Sequence, residues 1–273
     1  MNFSQNRTAS PIQPSALVPV PGPKPWPRFL YLWYSTSTPA LRKAAIRLSI
    51  DDGGAIYLNA GTLTVSGITF TGNRANEEGG AIFKNGGTLT INNNSVFDGN
   101  ISVNNGGGVY AVNAGNTTIT NSTFQNHTDV EINSGAGLYF ANGTLNVTGS
   151  TFSGNRAQSA GDQGGGIYIA SGTATIDGTT FANNIADTYG GAVRVAGGTI
   201  TITNSIFTGN TATANDGGAI YMATGTVGVS GSTFTNNAAG TDGGAVTVAS
   251  GTLTLTNDSF NTNRADDGGA VYS

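Results

Sequence analysis

The chain has 273 residues, of which 42 are Gly and none is Cys, and only 10% are charged. The lack of Cys excludes disulfides and thiolate metal sites, and the low charge with regularly placed aliphatic residues argues against disorder despite the glycine content. The net charge of −4 combines two unlike regions: residues 1–50 contain six basic and no acidic residues, whereas residues 51–273 contain five basic and all fifteen acidic residues, so the two regions carry +6 and −10. An acidic repeat region argues against a nucleic-acid partner.

The first fifty residues differ from the rest of the chain. All eight Pro and both Trp lie before residue 40, and a stretch this rich in Pro is expected to be extended or irregular. The apolar run 28–34 is too short to span a bilayer, and the basic, apolar and small-residue regions of a signal peptide do not follow one another there. We predict no transmembrane segment, and an irregular Pro-rich segment over residues 1–50 that is either a partial cap or not native.

The remaining sequence repeats one unit of 26–29 residues. The unit begins with Gly-Gly-Ala-Ile, first at 53–56, and continues with Phe-x-x-Asn, first at 70–73. The Phe of the second motif lies at 70, 97, 124, 152, 181, 207, 234 and 260. A period of this size is typical of a solenoid, in which stacked units share one core. We therefore assign residues 51–273 to one repeat domain, and expect it to be truncated because the chain stops just inside a new unit.

Alignment of the units reveals four apolar columns, represented in the first unit by Ile56, Leu63, Val65 and Phe70. Thr64 and its equivalents separate two of these columns, and an apolar–polar–apolar alternation is typical of a strand. The residue pattern of each unit therefore predicts three short strands, separated by turns that contain Gly and Asn. Because each unit returns to the same point one layer on, equivalent strands must pair in parallel. The predicted fold is all-β, a single-stranded parallel β-helix of about eight coils.

The Asn of the second motif forms a further column. Its members are Asn73, Asn100, Asn155, Asn184, Asn210, Asn237 and Asn263. A stacked amide inside a turn can bond both the turn backbone and the amide of the next coil, so we predict an amide ladder. His127, the one His of the chain, fills the remaining position. We interpret it as a rung of the ladder and not as a general base or a metal ligand.

The residues that directly follow the first apolar column are mostly aromatic. Since side chains alternate between the two faces of a strand, these residues are expected to point outward. We call the seven aromatic members the tyrosine stripe: Tyr57, Phe83, Tyr110, Tyr139, Tyr168, Tyr221 and Tyr272. Arg194 and Thr247 interrupt it. Stacked rings stabilise neighbouring strands, but an exposed line of Tyr also suits a sugar ring or a protein edge. Our binding hypothesis places the contact at the unbroken centre of the stripe.

Acidic residues cluster just before the Gly pairs, as in Asp51, Asp52, Glu77 and Glu78. Parallel β-helices include polysaccharide lyases and hydrolases, whose sites need acids converging on one face. Here the acids recur with the repeat, as structural residues do, so we predict no catalytic residue. The same acids could bind Ca²⁺, but the repeat lacks the nonapeptide signature of a Ca²⁺-binding roll. We predict neither a metal site nor a cofactor.

The paired motifs Gly-Gly-Ala-[Ile/Leu/Val] and Phe-x-x-Asn resemble the repeats of the chlamydial polymorphic outer membrane proteins. The resemblance covers residues 51–273 and implies a right-handed β-helical passenger, secreted or at the cell surface or outer membrane, whose usual role is adhesion. It also implies a glycan or protein partner on the host cell or in the matrix. We therefore expect a non-catalytic binding module. The alternative is a carbohydrate-active β-helix enzyme or its substrate-binding part.

Overall fold

The computed structural model describes residues 19–20, 28–29, 51–129 and 134–273. All regular structure in these residues is β-strand, and the strands of the repeat form four parallel sheets that run along the coils. The predicted all-β parallel β-helix of about eight coils is confirmed. The three predicted strands per coil are present, and seven of the coils add a shorter fourth strand. Outside the repeat, Pro19–Val20 pairs antiparallel with Arg28–Phe29. The rest of the segment predicted over residues 1–50 lies outside the described residues.

Sheet I contains nine strands and follows the Gly-Gly-Ala motif. Aliphatic residues open these strands, and β-branched side chains are favoured on a pleated surface. Its strands are Ile56–Leu58, Ile82–Asn85, Val109–Val112, Leu138–Phe140, Ile167–Ile169, Val193–Val195, Ile220–Met222, Val246–Val248 and Val271–Tyr272.

Sheet II contains eight strands of five residues each. Their second and fourth residues point into the rod and their first, third and fifth residues point out, which is the predicted alternation. Its strands are Thr62–Ser66, Thr88–Asn92, Asn116–Thr120, Thr144–Thr148, Thr173–Asp177, Thr199–Thr203, Thr226–Ser230 and Thr252–Thr256.

Sheet III contains eight strands of three residues with the motif Phe at the centre of each. The flanking residues point outward, and the Phe points into the rod. Its strands are Thr69–Thr71, Val96–Asp98, Thr123–Gln125, Thr151–Ser153, Thr180–Ala182, Ile206–Thr208, Thr233–Thr235 and Ser259–Asn261.

Sheet IV contains seven strands of only two residues and was not predicted. It follows the motif Asn, and two residues are too few to produce a readable alternation. Its strands are Arg74–Ala75, Ile101–Ser102, Thr128–Asp129, Arg156–Ala157, Ile185–Ala186, Thr211–Ala212 and Ala238–Ala239.

The core is a set of continuous side-chain stacks. In the central coils the members of all four predicted columns are fully buried. Examples, one from each column, are Leu145, Val147, Phe152 and Ile167. The Phe rings stack with centroids 4.5–5.3 Å apart and interplanar angles of 3–20°. Each buried aliphatic or Phe side chain contributes about 1.5–3 kcal/mol. Stability therefore grows with the number of coils, as expected for a repeat array.

The Gly pair is required by close backbone packing at the entry to sheet I. Gly53 has φ +63°, and a Cβ on it would lie 2.2 Å from the carbonyl oxygen of Ile56. A Cβ on Gly54 would lie 2.2 Å from the carbonyl oxygen of Gly80 in the next coil. The first Gly of the motif thus makes the turn, and the second lets successive coils approach.

Lys84 is a charged residue inside the rod. It pairs in register with Leu58 and Ala111 in a fifth inward column, which the sequence alignment did not identify. Its side chain is fully buried, and Nζ donates to the carbonyl oxygen of Asn113 at 3.3 Å. Burial lowers the pKa of Lys84, since a low-dielectric interior disfavours the charged form. The long aliphatic stem fills the core while the amine reaches a turn.

Candidate functional site

The tyrosine stripe forms a column of stacked rings along sheet I. Ring centroids are 4.9 Å apart between Tyr57 and Phe83, 5.2 Å between Phe83 and Tyr110, 4.9 Å between Tyr110 and Tyr139, and 4.8 Å between Tyr139 and Tyr168. The parallel register places these residues opposite one another. Stacked aromatic pairs are worth about 0.5–1.5 kcal/mol beyond their buried area. The stripe therefore stabilises the sheet in addition to any binding role.

The stripe is less exposed than simple alternation predicts. Tyr57 and the three central members, Tyr110, Tyr139 and Tyr168, are half-buried. Phe83 and Tyr221 are only 7% and 9% exposed, whereas Tyr272 in the last coil is 42% exposed. Both side chains start close to a glycine turn: a Cβ on Gly53 would come within 3.1 Å of Phe83 Cβ, and one on Gly217 within 2.8 Å of Tyr221 Cβ. The expectation that Phe83 and Tyr221 present their rings to solvent is therefore wrong.

Stacking decides which part of the stripe a partner can reach. A centroid separation of about 4.8 Å between parallel strands leaves no space for a ligand ring between neighbouring side chains. The ring faces of Tyr110 and Tyr139 are thus used within the protein. What these tyrosines offer to a partner is a line of ring edges and hydroxyl groups, which suits hydrogen bonding to a polar partner better than face-on stacking of a sugar.

Arg194, which interrupts the stripe in the sequence, continues the column in the structure. Its guanidinium carbon lies 4.7 Å from the ring centroid of Tyr221, 5.7 Å from that of Tyr189 and 5.9 Å from that of Tyr168. Its Nε donates to Gln163 Oε1 at 2.7 Å. Cation–π contact of this kind is attractive within about 6 Å. Burial lowers the pKa of Arg194, but an Arg stays charged in proteins.

Tyr189 is a member of this face that the sequence analysis missed. Its ring lies 4.3 Å from that of Tyr221, and its hydroxyl accepts from Asn215 Nδ2 at 2.9 Å. Tyr189 precedes the Gly pair instead of following the aliphatic column. An alignment of the column alone could not find it, because it enters the stack from the turn.

The half-buried phenols of Tyr110 and Tyr139 are neutral at physiological pH. Burial, followed by the charges of Tyr139, Glu78 and Asp52, raises the pKa of Tyr110 to about 12. Burial, with smaller contributions from Tyr168 and Glu78, also raises the pKa of Tyr139. The carboxylate of Glu78 acts on both tyrosines, so the stripe runs beside an acidic edge of the rod. Each hydroxyl there can both donate and accept a hydrogen bond.

That acidic edge includes a group of three carboxylates in the first two coils. Oxygen atoms of Asp52, Glu77 and Glu78 lie within 4.8 Å of one another. Burial raises the pKa of Glu78 to about 7, and the hydrogen bond and charge of Asp52 and the charge of Glu77 add to the effect. A proton shared between carboxyl groups relieves their repulsion. Such a group could also hold a hard cation, so the absence of a metal site stays a prediction.

The predicted amide ladder is present and buried. The side-chain oxygen of Asn184 accepts from Nδ2 and the backbone N–H of Asn155, at 2.9 and 3.2 Å. Asn184 Nδ2 donates to the carbonyl oxygen of Phe152 at 2.9 Å and to Asn210 Oδ1 at 3.0 Å. Every polar atom of the amide is thus satisfied, which a buried amide requires. The ladder fixes each turn to the one before and the one after it.

His127 occupies its predicted place in this ladder. It is fully buried, its Nδ1 accepts from the backbone N–H of Asn100 at 3.0 Å, and its Nε2 has no partner among the described residues. A Cβ on Gly108, where several coils have Ala, would lie 2.8 Å from Nε2. The larger imidazole is therefore accommodated by Gly at this position. Its burial away from solvent favours the structural interpretation.

We expect the protein to lose stability in acid because of His127. Burial lowers the pKa of His127 to about 4 from the ordinary 6.5, against smaller raising effects of Asn100 and Asp98. Between these values the unfolded chain binds a proton that the native state does not, so the free energy of unfolding falls as the pH falls. The loss reaches about 3 kcal/mol near pH 4, at about 1.4 kcal/mol per pH unit.

The measurement is urea unfolding of the wild type and of His127→Asn from pH 7.5 to pH 4. The carboxyl groups titrate in both proteins, so the difference between the two isolates the histidine. The Asn variant should restore the ladder and become progressively more stable than the wild type below pH 6.5. Parallel pH profiles would contradict this assignment.

This geometry is that of a parallel β-solenoid with stacked amide, Phe and Tyr ladders. The family described as right handed beta helix region matches residues 47–181, and the predicted right-handed fold is confirmed. The Chlamydia polymorphic membrane protein repeat matches residues 204–223. The chain thus carries repeats of that type. No curated protein and no solved structure matches the chain.

Together the fold and the repeats indicate a surface or secreted repeat protein. Within the part of the chain that the structure describes, no helix is long and apolar enough to cross a membrane.

Proposed function

We propose that the protein is a non-catalytic binding module of the adhesin type, displayed at the cell surface or outer membrane or secreted. Its partner is a glycan or protein of a host cell or matrix. The observation that carries the proposal is the half-exposed run of Tyr110, Tyr139 and Tyr168, whose stacked rings follow one another along the rod. Extended solenoid faces of this kind are used as binding surfaces. Tyr is favoured at interfaces because its ring is rigid and its hydroxyl is polar.

The test replaces Tyr110, Tyr139 and Tyr168 together by Ser and measures attachment of the full chain to host cells and to a glycan array. The matched control replaces Thr151, Thr180 and Thr233 by Ser on the outer face of sheet III. Circular dichroism and thermal unfolding establish that each variant is folded. We expect the tyrosine variant to lose attachment and the control to retain it.

A second variant distinguishes loss of the hydroxyl groups from loss of the stacked rings. Replacing the same three tyrosines by Phe keeps the rings, and Phe83 shows that the column accepts Phe. We expect weaker attachment here too, because the hydroxyls are the part that a partner reaches. Undiminished attachment by both folded variants, or no attachment by the wild type, would overturn the proposal.

A further inference from the structure

The outer face of sheet II is a two-dimensional array of threonine. Seven of eight residues in the first outward column and six of eight in the second are Thr. The first column is Thr62, Thr88, Asn116, Thr144, Thr173, Thr199, Thr226 and Thr252, and the second is Thr64, Thr90, Thr118, Asn146, Thr175, Thr201, Gly228 and Thr254. We call these two columns the threonine face. Neither column contains a charged residue, and this face takes no part in the binding proposed above.

The threonines of this face have free hydroxyl groups. Their side chains are half-buried or exposed. In the described part of the chain, none of their hydroxyls makes a hydrogen bond to another protein group, in contrast to the third outward column, where Thr203 donates to Asp177 Oδ1 at 2.6 Å. Each free hydroxyl can donate one bond and accept two. The face therefore presents hydroxyl and methyl groups whose only available partners are external.

The array has two regular spacings. Neighbouring coils are about 4.8 Å apart in the hydrogen-bonding direction, and the two columns are two residues apart along each strand, which is about 6.6 Å. The stacked Phe rings on the adjacent sheet, with centroids 4.5–5.3 Å apart, show that the coil spacing is maintained along the rod. From Asn116–Thr120 onward, neighbouring strands of sheet II pair over all five residues, which keeps the columns aligned from coil to coil.

The coils that carry this face stack with little rotation between them. Sheets normally twist from strand to strand, and flat ones depend on stacking and side-chain ladders. Here the Phe rings of successive coils are inclined by only 3–20°, so the coils rotate little relative to one another. The β-branched Thr side chain has few rotamers. Ordering these hydroxyls on a solid surface therefore costs little conformational entropy.

We propose that the threonine face binds ice. An ice surface presents water molecules, each able to donate and accept hydrogen bonds, on a regular two-dimensional lattice, so a regular array of free hydroxyls can hydrogen-bond to that lattice. An uncharged surface of hydroxyl and methyl groups does not impose the radial hydration that a charge would. Growth of ice between adsorbed rods is then inhibited, because the advancing surface must curve. No covalent step and no cofactor is involved.

The test measures the gap between the melting and freezing points of a single ice crystal in a solution of the purified full chain, together with the crystal shape. We expect a concentration-dependent gap and faceted crystals. The decisive variant is Thr175→Lys, which places a long charged side chain at the centre of the array. Its matched control is Thr180→Lys, an outward Thr of the same coil on sheet III. Thr201→Lys on the next coil provides a second array variant if the first does not fold.

We expect the array variants to lose most of the gap and the faceting, and the control to keep both. A wild type that leaves ice growth unchanged, or equal effects of the array and control substitutions, would overturn the proposal. Attachment to cells is a separate measurement on the tyrosine stripe, so failure of ice binding leaves the proposed adhesin function standing.

Discussion

Replacing Ile167 by Asp is expected to unfold the coils on either side of it. Ile167 is fully buried and pairs with Leu138 and Val193 in the first inward stack. The substitution removes about 1.5–3 kcal/mol of apolar burial and places a carboxyl group in an interior without a partner for it. We expect the free energy of unfolding to fall by more than about 4 kcal/mol, which is exceptional for one substitution. Thermal unfolding followed by circular dichroism measures the loss.

The control is Thr175→Asp in the same coil, which adds the same carboxyl group on the exposed side of sheet II. It should cost less than about 1 kcal/mol. Because each coil contacts only its neighbours, hydrogen exchange of the inward variant should increase in the central coils first. Equal stability of the two variants would show that the predicted inward and outward faces are misassigned.

Replacing Asn184 by Ala is expected to have the second-largest effect. The change removes four hydrogen bonds of the amide ladder, those to Asn155, Phe152 and Asn210. The N–H groups of Asn155 and the carbonyl group of Phe152 then remain buried without these partners, and each unsatisfied group costs about 1–3 kcal/mol. We expect a total loss of more than about 3 kcal/mol, measured by urea unfolding.

Thr201→Ala is the matched control for this second substitution, since it also truncates a polar side chain to Ala but on the exposed face. It should cost below about 1 kcal/mol. A double variant with Asn210→Ala should lose less than the sum of the two single losses, because adjacent rungs share a bond. A loss below about 1 kcal/mol for Asn184→Ala would mean that the ladder does not hold the turns.

The repeat motifs predict most of the fold for a simple physical reason. Phe152 pairs with Phe124 in the preceding coil and with Phe181 in the following coil, and each of these residues has the same kind of surroundings. The same side chain is therefore favoured once in every repeat. The Gly pair and the Asn are equally constrained by backbone packing and by buried hydrogen bonds. Strand direction, the inward columns and the amide ladder all follow from that recurrence.

What the motifs could not predict depends on contacts that do not repeat. Lys84 is buried although no other coil has a charge at that position, because its stem lies in the core and its amine reaches Asn113. Arg194 interrupts the aromatic pattern in the sequence but occupies the same column in space. The burial of Phe83 and Tyr221 depends on how rings lie against a turn, and alternation along a strand carries no information about that.

A buried ladder of hydroxyl groups was likewise missed in the sequence. The backbone N–H of Ser122 donates to Ser150 Oγ at 3.2 Å, and that of Ser205 donates to Ser232 Oγ at 3.1 Å. Each of these bonds joins one coil to the next. Its signal was visible as a Ser or Thr two residues before most of the motif Phe residues. A small hydroxyl residue in a turn is ordinarily assigned to turn formation, so its burial became apparent only in three dimensions.

Hydroxyl-radical footprinting of the full chain bound to host cells tests the central claim most directly, because it reports which side chains a partner covers. We predict that oxidation of Tyr110, Tyr139 and Tyr168 decreases on binding, whereas the outward residues of sheet III keep their reactivity. Protection confined to sheet II or sheet III, with the three tyrosines unchanged, would contradict the assignment of the tyrosine stripe as the binding face.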